Sequence, residues 1–105
     1  MAKIVWTESA LLDLNDIVGY IALDKVAAAE KLVNKVFERV DLLTDSPASG
    51  RKPPELGKTK YTEVIVGPCR IFYRTSDGEI VILYIMRGER LLKNYILGER
   101  DSKDN

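Results

Sequence analysis

Residues 61–90, YTEVIVGPCRIFYRTSDGEIVILYIMRGER, constrain the fold more than any other part of the chain. The segment is built from β-branched and aromatic residues (Val64, Ile65, Val66, Ile71, Phe72, Tyr73 and residues 80–85), the composition of strands. Gly67-Pro68 and Asp77-Gly78 divide it, and Asp-Gly between apolar runs is a strong hairpin signal. Three consecutive strands are predicted. They carry Arg70, Arg74, Arg87 and Arg90. A buried arginine needs a partner, whereas several on an open face make a cationic surface for a carboxylate-rich or anionic partner. Alternation puts Arg70, Phe72 and Arg74 on one face of the third strand and Cys69, Ile71, Tyr73 and Thr75 on the other. The Ile71/Tyr73 side is the better core, so the arginines are expected on the open face.

The first half of the chain has helical periodicity. Residues 3–6 read as a short first strand. Thr7 can cap the next helix with its hydroxyl, and Glu8 suits the positive end of its dipole. Leu11, Leu14, Ile17 or Val18, and Ile21 form one apolar stripe. Asp24 is expected to cap a second helix whose stripe is Ala29, Leu32, Val33, Val36, Phe37, Val40 and Leu43, ended by Ser46-Pro47. Residues 47–60 form a proline- and glycine-rich loop. Leu91, Leu92, Tyr95, Ile96 and Leu97 suggest a short closing helix ended by Gly98, and residues 98–105 are expected to be a flexible tail. The order β-α-α-β-β-β predicts a single α+β domain over residues 1–105, with a helical hairpin on one face of an antiparallel sheet.

Composition narrows the function. The chain has no histidine, which removes the commonest general acid/base at neutral pH. Its net charge is zero, but residues 1–50 carry a net −3 and residues 51–105 a net +3. General nucleic-acid binders usually have a larger basic excess, so no independent sequence-specific nucleic-acid binding is expected. One cysteine, Cys69, allows no internal disulfide, which suits a reducing cytoplasm. No apolar run reaches the length of a membrane span. No cofactor or metal is expected.

A set of short motifs runs through the chain in order. Trp6-Thr7, Ala10, Asp13-Leu14 and Ile17 resemble the opening of the ParE toxins. So do Pro47, Gly50-Arg51, Pro54-Glu55-Leu56, Glu63, Gly67-Pro68, the run Arg70-Ile71-Phe72-Tyr73-Arg74, and residues 80–90. Each motif is weak alone; their order and spacing together are specific. The resemblance implies the RelE/ParE fold and a toxin of a type II toxin–antitoxin pair, neutralised by a ParD-like antitoxin. RelE-like members of that superfamily cleave mRNA on the ribosome, and ParE-like members poison DNA gyrase. One ribonuclease branch uses a glutamate in a Pro-Glu loop motif, an arginine on the third strand and a C-terminal His-Tyr pair. Glu55 and Arg70 stand at the first two places, but Arg87-Gly88-Glu89-Arg90 replaces the pair. RelE itself relies on lysine, arginine and a late tyrosine, and no motif aligns Lys58, Lys60 or Tyr95 with them. The resemblance therefore favours a binding-type gyrase poison. A ribosome-dependent mRNA interferase, or a non-toxic relative acting only in an autorepressing complex, are the alternatives.

Residue by residue, Arg51, Arg70, Arg74, Arg87 and Arg90 are the candidate target contacts, with Arg87 and Arg90 favoured. Arg70 has a competing structural role in pairing with Glu63 across the strands. Glu55 more often pairs with a nearby arginine than does chemistry. Trp6 and Tyr73 read as core, and Cys69 as a small strand residue. Antitoxins of this kind end in a segment that folds on the toxin. Leu12, Val18, Tyr20 and Leu23 on the first helix are the candidate antitoxin contacts, since apolar residues beyond one stripe stay exposed without a partner.

Overall fold

A computed structural model describes residues 2–103. The chain forms β1 (Lys3–Trp6), α1 (Glu8–Asp24), α2 (Val26–Asp41), a 3₁₀ turn (Leu42–Thr44), β2 (Thr62–Val66), β3 (Cys69–Ser76), β4 (Glu79–Arg87) and α3 (Ile96–Lys103). The strands lie in the order β1-β4-β3-β2. β2, β3 and β4 are antiparallel neighbours, as the turn chemistry predicts. Asp77 and Gly78 both have positive φ (51° and 75°), the conformation of the two-residue turns that match strand twist. β1 departs from the antiparallel expectation, because it runs parallel to β4 with Ile4 opposite Ile80 and Trp6 opposite Ile82. The helical hairpin carries the chain from β1 to β2 at the far edge of the sheet, and two antiparallel returns bring β4 beside β1.

Thr7 builds the junction between the first strand and the first helix. Its Oγ1 accepts from the Ala10 N–H (3.2 Å) as the helix cap, while its hydroxyl donates to the Ile82 carbonyl (2.7 Å) and ties α1 to β4. The expected cap at Asp24 does not form. Asp24 is the last residue of α1, and Lys25, in an extended conformation, separates the helices without a side-chain cap. α2 also ends earlier than the proline predicts, at Asp41, where the 3₁₀ turn tucks Leu43 into the core.

Two apolar clusters flank the sheet. The larger lies under the hairpin and joins Ala10, Leu14, Leu32, Val36 and Val40 to Val64, Ile71, Tyr73, Ile80 and Ile82. Trp6 packs there against Phe37, ring centroids 4.9 Å apart. Leu11, expected in the stripe, is 42% exposed at its margin. The second cluster lies on the opposite face and contains Phe72, Met86, Leu92 and Leu97, with Leu56, Tyr61 and Tyr84 around it. That face is therefore covered, and the expectation of an open arginine face fails. Phe72 and Met86 leave apolar area that the segment after β4 buries. The closing helix and the part of the tail up to Lys103 are corrected with it: α3 begins at Ile96, continues through Gly98 to Lys103, and buries Leu97 and Asp101, while residues 104–105 of the expected tail lie outside the described residues.

Candidate functional site

Arg70 is the centre of the covered face. It is 6% exposed, and its guanidinium is held by two carboxylates. Nε and Nη2 donate to the two oxygens of Glu63 (2.9 and 2.7 Å), and Nη1 and Nη2 donate to those of Glu55 (both 2.7 Å). Nη1 also reaches the Arg90 carbonyl at 3.4 Å. Glu63 is fully buried and sits diagonally from Arg70 across the β2–β3 pair. The pairing of Arg70 with Glu63 that the sequence allowed is thus present. Glu55 arrives from the loop, and its Oε2 also accepts from the Leu92 N–H (3.1 Å). One guanidinium thereby fastens a strand, the proline-rich loop and the turn after β4.

The electrostatics follow from the geometry. Hydrogen bonds from Arg70 outweigh the cost of burial and lower the Glu55 pKa from 4.5 to about 2, aided by the Leu92 amide. The same bonds push the Arg70 pKa further up. A carboxylate so stabilised is a poor proton acceptor, and a guanidinium saturated by two carboxylates has little left for a phosphate. Cys69 is buried, and that burial raises its thiol pKa, which leaves it the strand residue expected.

Arg51 extends the sheet by one residue: its N–H and C=O exchange hydrogen bonds with Glu63 (2.9 and 2.7 Å). Its guanidinium, more than half exposed, reaches Glu63 at 3.5 Å. Arg74 points to α3, where Nε donates to Asp101 at 2.7 Å. Tyr61 and Lys60 also reach Asp101 (3.3 and 3.6 Å). Burial pushes the Asp101 carboxyl up, but Arg74, Tyr61 and Lys60 together leave it below its usual value. Arg100 closes the other side of α3, donating to both oxygens of Asp13 on α1 (2.9 and 3.0 Å) and to the Leu83 carbonyl (2.9 Å). Arg100 and Asp101 carry no signal in the sequence, and Asp13 enters there only as part of the opening motif. Polar residues beyond the last apolar one carry no periodic signal, so only spatial pairing reveals them.

Arg87 is the last residue of β4, and Arg90 lies in the turn beyond it, where its carbonyl accepts from Arg70. Arg87 stacks over the Tyr20 ring (5.1 Å) and pairs with Glu89 (2.7 Å). Arg90 is exposed, and its side chain meets no carboxylate within salt-bridge distance among the described residues. Both line a cleft of about 450 Å³ between α1 and β4, with Asp13, Asp16, Ile17 and Tyr20 on the helix wall. The five candidate arginines therefore form no single patch.

The candidate antitoxin contacts also separate, because each helical residue turns by about 100° from the last. Leu12 and Leu23 are 56% and 86% exposed. Val18 is half-buried in a groove of about 400 Å³ between the helices, beside Ala22, Val26, Ala29 and Val33. Tyr20 takes the opposite flank, facing Arg87. α1 thus offers apolar surface on both flanks and on its outer side.

A helical hairpin that links β1 to β2 across a β1-β4-β3-β2 sheet, with β1 parallel to β4, is the architecture that the resemblance to the RelE/ParE class implies. A solved chain of that class, titled "Chromosomal ParDE TA system from P. aeruginosa", superposes with a TM-score of 0.70 at 28% identity, over 85% of this chain and 98% of the other. The family described as "ParE toxin of type II toxin-antitoxin system, parDE" matches residues 4–92, and the chain belongs to it. The toxin RelE2 of Caulobacter vibrioides is 35% identical over 92 residues, covering 87% of this chain and all of the relative. The protein is the toxin of a ParDE-type toxin–antitoxin system.

Proposed function

We propose that the free toxin acts by binding rather than by turnover, that DNA gyrase is its target, and that a ParD-like antitoxin neutralises it in the cytoplasm. The observation that carries this reading is the state of Glu55 and Arg70. The two residues that match a ribonuclease are bonded to each other at 2.7 Å and, with Glu63, form an interlocked ion-pair cluster under the C-terminal segment. Half-buried Arg87, at the end of β4, and exposed Arg90, just beyond it, are the cations offered to a large target. Arg51, whose head group is solvent-facing, is a second contact. Arg70 and Arg74 then serve the toxin by holding the segment after β4 in place. The mechanism is a wedge: the β4 end and the adjoining turn contact the gyrase–DNA complex and hinder religation. The antitoxin covers the hairpin, contacting Leu12, Val18, Tyr20 and Leu23.

Expression without a partner tests the target. Trapped gyrase cleavage complexes and DNA damage are expected before any fall in translation. Arg87→Ala with Arg90→Ala is expected to abolish growth arrest while leaving antitoxin binding intact. Early translation arrest with cleaved transcripts would establish an mRNA interferase instead, a reading to which only the positions of Glu55 and Arg70 and the name of the Caulobacter relative lend support.

A further inference from the structure

We propose that Leu91 is the anchor by which the turn after β4 docks into an apolar, carboxylate-rimmed pocket on the toxin's protein target. Leu91 is 83% exposed, and among the other large apolar side chains described only Leu23 is as open. A single exposed leucine is ordinary in itself. Leu91 differs in how its backbone is held. The Arg90 carbonyl accepts from Nη1 of Arg70 (3.4 Å), and the Leu92 N–H donates to Oε2 of Glu55 (3.1 Å). These belong to the two peptide groups on either side of the Leu91 Cα. The Arg70–Glu55 ion pair therefore fixes both.

The rest of the segment is tied down in the same way. Leu92 turns inward and packs with Phe72, Met86 and Leu97. The Arg90 N–H donates to the Arg87 carbonyl, and the Ile96 N–H to the Lys93 carbonyl (both 3.2 Å), so a turn closes the segment at each end. The backbone is thus held from below while the Leu91 side chain projects into solvent. A contact whose backbone is already ordered loses little freedom when it binds, and that is what lets one side chain carry much of an affinity.

The chemistry of the pocket follows from the neighbours of Leu91. The Glu89 carboxylate is matched by Arg87 at 2.7 Å. Arg90 and Lys93 are exposed, and neither side chain meets a carboxylate within salt-bridge distance among the described residues. Two unmatched cations around an aliphatic side chain fit an apolar pocket with an acidic rim. A leucine can also wedge between base pairs, but proteins that use such wedges hold phosphates over a broad cationic surface. This chain has no net charge, and Arg70 and Arg74 are bound to carboxylates.

The anchor rests on the reading that the turn beyond β4 meets the target, and its test separates the two. The full chain and its variants Leu91→Ser, Leu91→Met and Leu42→Ser are expressed without a partner and scored for growth arrest. The purified chains are then titrated into gyrase with supercoiled DNA, read as trapped cleavage complexes. Leu91→Ser is expected to relieve growth arrest and to need about 30-fold more toxin for half-maximal trapping. Leu91→Met, which keeps the volume, should stay within about threefold of the parent. Leu42, 60% exposed on the 3₁₀ turn, is the control and should change neither readout. Growth arrest that Leu91→Ser relieves, in a parent that traps no gyrase, would reject gyrase and support the anchor. Undiminished arrest by Leu91→Ser would overturn the anchor whatever gyrase does, and a parent that arrests nothing would overturn both. Loss of co-purification of Leu91→Ser with the cognate antitoxin, or a shift of the Leu91 amide on duplex DNA alone, would assign the side chain to another occupant and overturn the proposal.

Discussion

Arg70 and Glu55 grip each other end to end, two N–H donors against two carboxylate oxygens, each at 2.7 Å. A bidentate pair of this kind is among the stronger polar contacts a protein makes. Its cost is that neither group is free for chemistry. Glu63 completes the cluster from below, and because it is fully buried it depends on Arg70 for compensation. The cluster is therefore a structural pin that joins β3, the proline-rich loop and the turn leading to α3.

Removing the cation tests the pin. Arg70→Met leaves the buried Glu63 with only the long, half-exposed contact to Arg51 at 3.5 Å, and the expected loss is about 3–5 kcal/mol in urea denaturation. The double variant Arg70→Met with Glu63→Leu should recover much of it, since an apolar pair of similar volume replaces a salt bridge. A single-variant loss below about 1 kcal/mol would show that the pair is solvent-compensated rather than buried.

The acid limb of stability should carry the signature of Glu55. Its folded pKa of about 2 lies below the ordinary 4.5, so its contribution is fully present above about pH 4.5 and is lost as pH falls toward 2. The contribution is on the order of 2 kcal/mol. Glu55→Gln should be the less stable protein at neutral pH, and the gap should close between pH 4.5 and 2. Denaturation midpoints across that range decide it. A gap that stays constant would remove the linkage.

α3 is expected to be a cooperative flap rather than a tail. Asp101→Ala removes the acceptor of Arg74, Tyr61 and Lys60, at an expected cost of about 1.5–3 kcal/mol for the charged hydrogen bonds. Native-state hydrogen exchange should accelerate in residues 96–103 first, with the hairpin amides unaffected. Uniform acceleration throughout the chain would mean that α3 and the main core unfold together.

Two glycines should respond oppositely to alanine. A methyl group at Gly50 would run into the Glu63 carbonyl and come within 2.8 Å of both the Tyr73 hydroxyl and Thr62, with an expected loss of about 1–3 kcal/mol. At Gly19, inside α1 with nothing within 4 Å, alanine should add about 0.5–1 kcal/mol through helix propensity. Thermal midpoints of the two variants on either side of the parent would confirm the assignment.

Much of this protein is written locally. The three-strand run, the turns at Gly67-Pro68 and Asp77-Gly78, the stripe of α2 and the Thr7 cap depend on neighbours within a few residues, and all four are where periodicity and turn chemistry put them. The alternation of β3 likewise placed Ile71 and Tyr73 under the helices and Arg70 and Arg74 opposite. What covers the opposite face was not legible there. Arg100 and Asp101 look like solvated end residues until they meet Asp13, 87 positions away, and Arg74, 27 positions away. The direction of β1 was equally hidden, since a four-residue strand carries no mark of its partner's sense. Sequence by itself determined the helical hairpin, the three-strand run and the family, because these rest on short-range pattern and spacing. Tertiary structure alone decided which arginines are tied to buried carboxylates and which keep an exposed head group. A guanidinium's role depends on the carboxylates that distant segments bring to it, and no spacing along the chain records them.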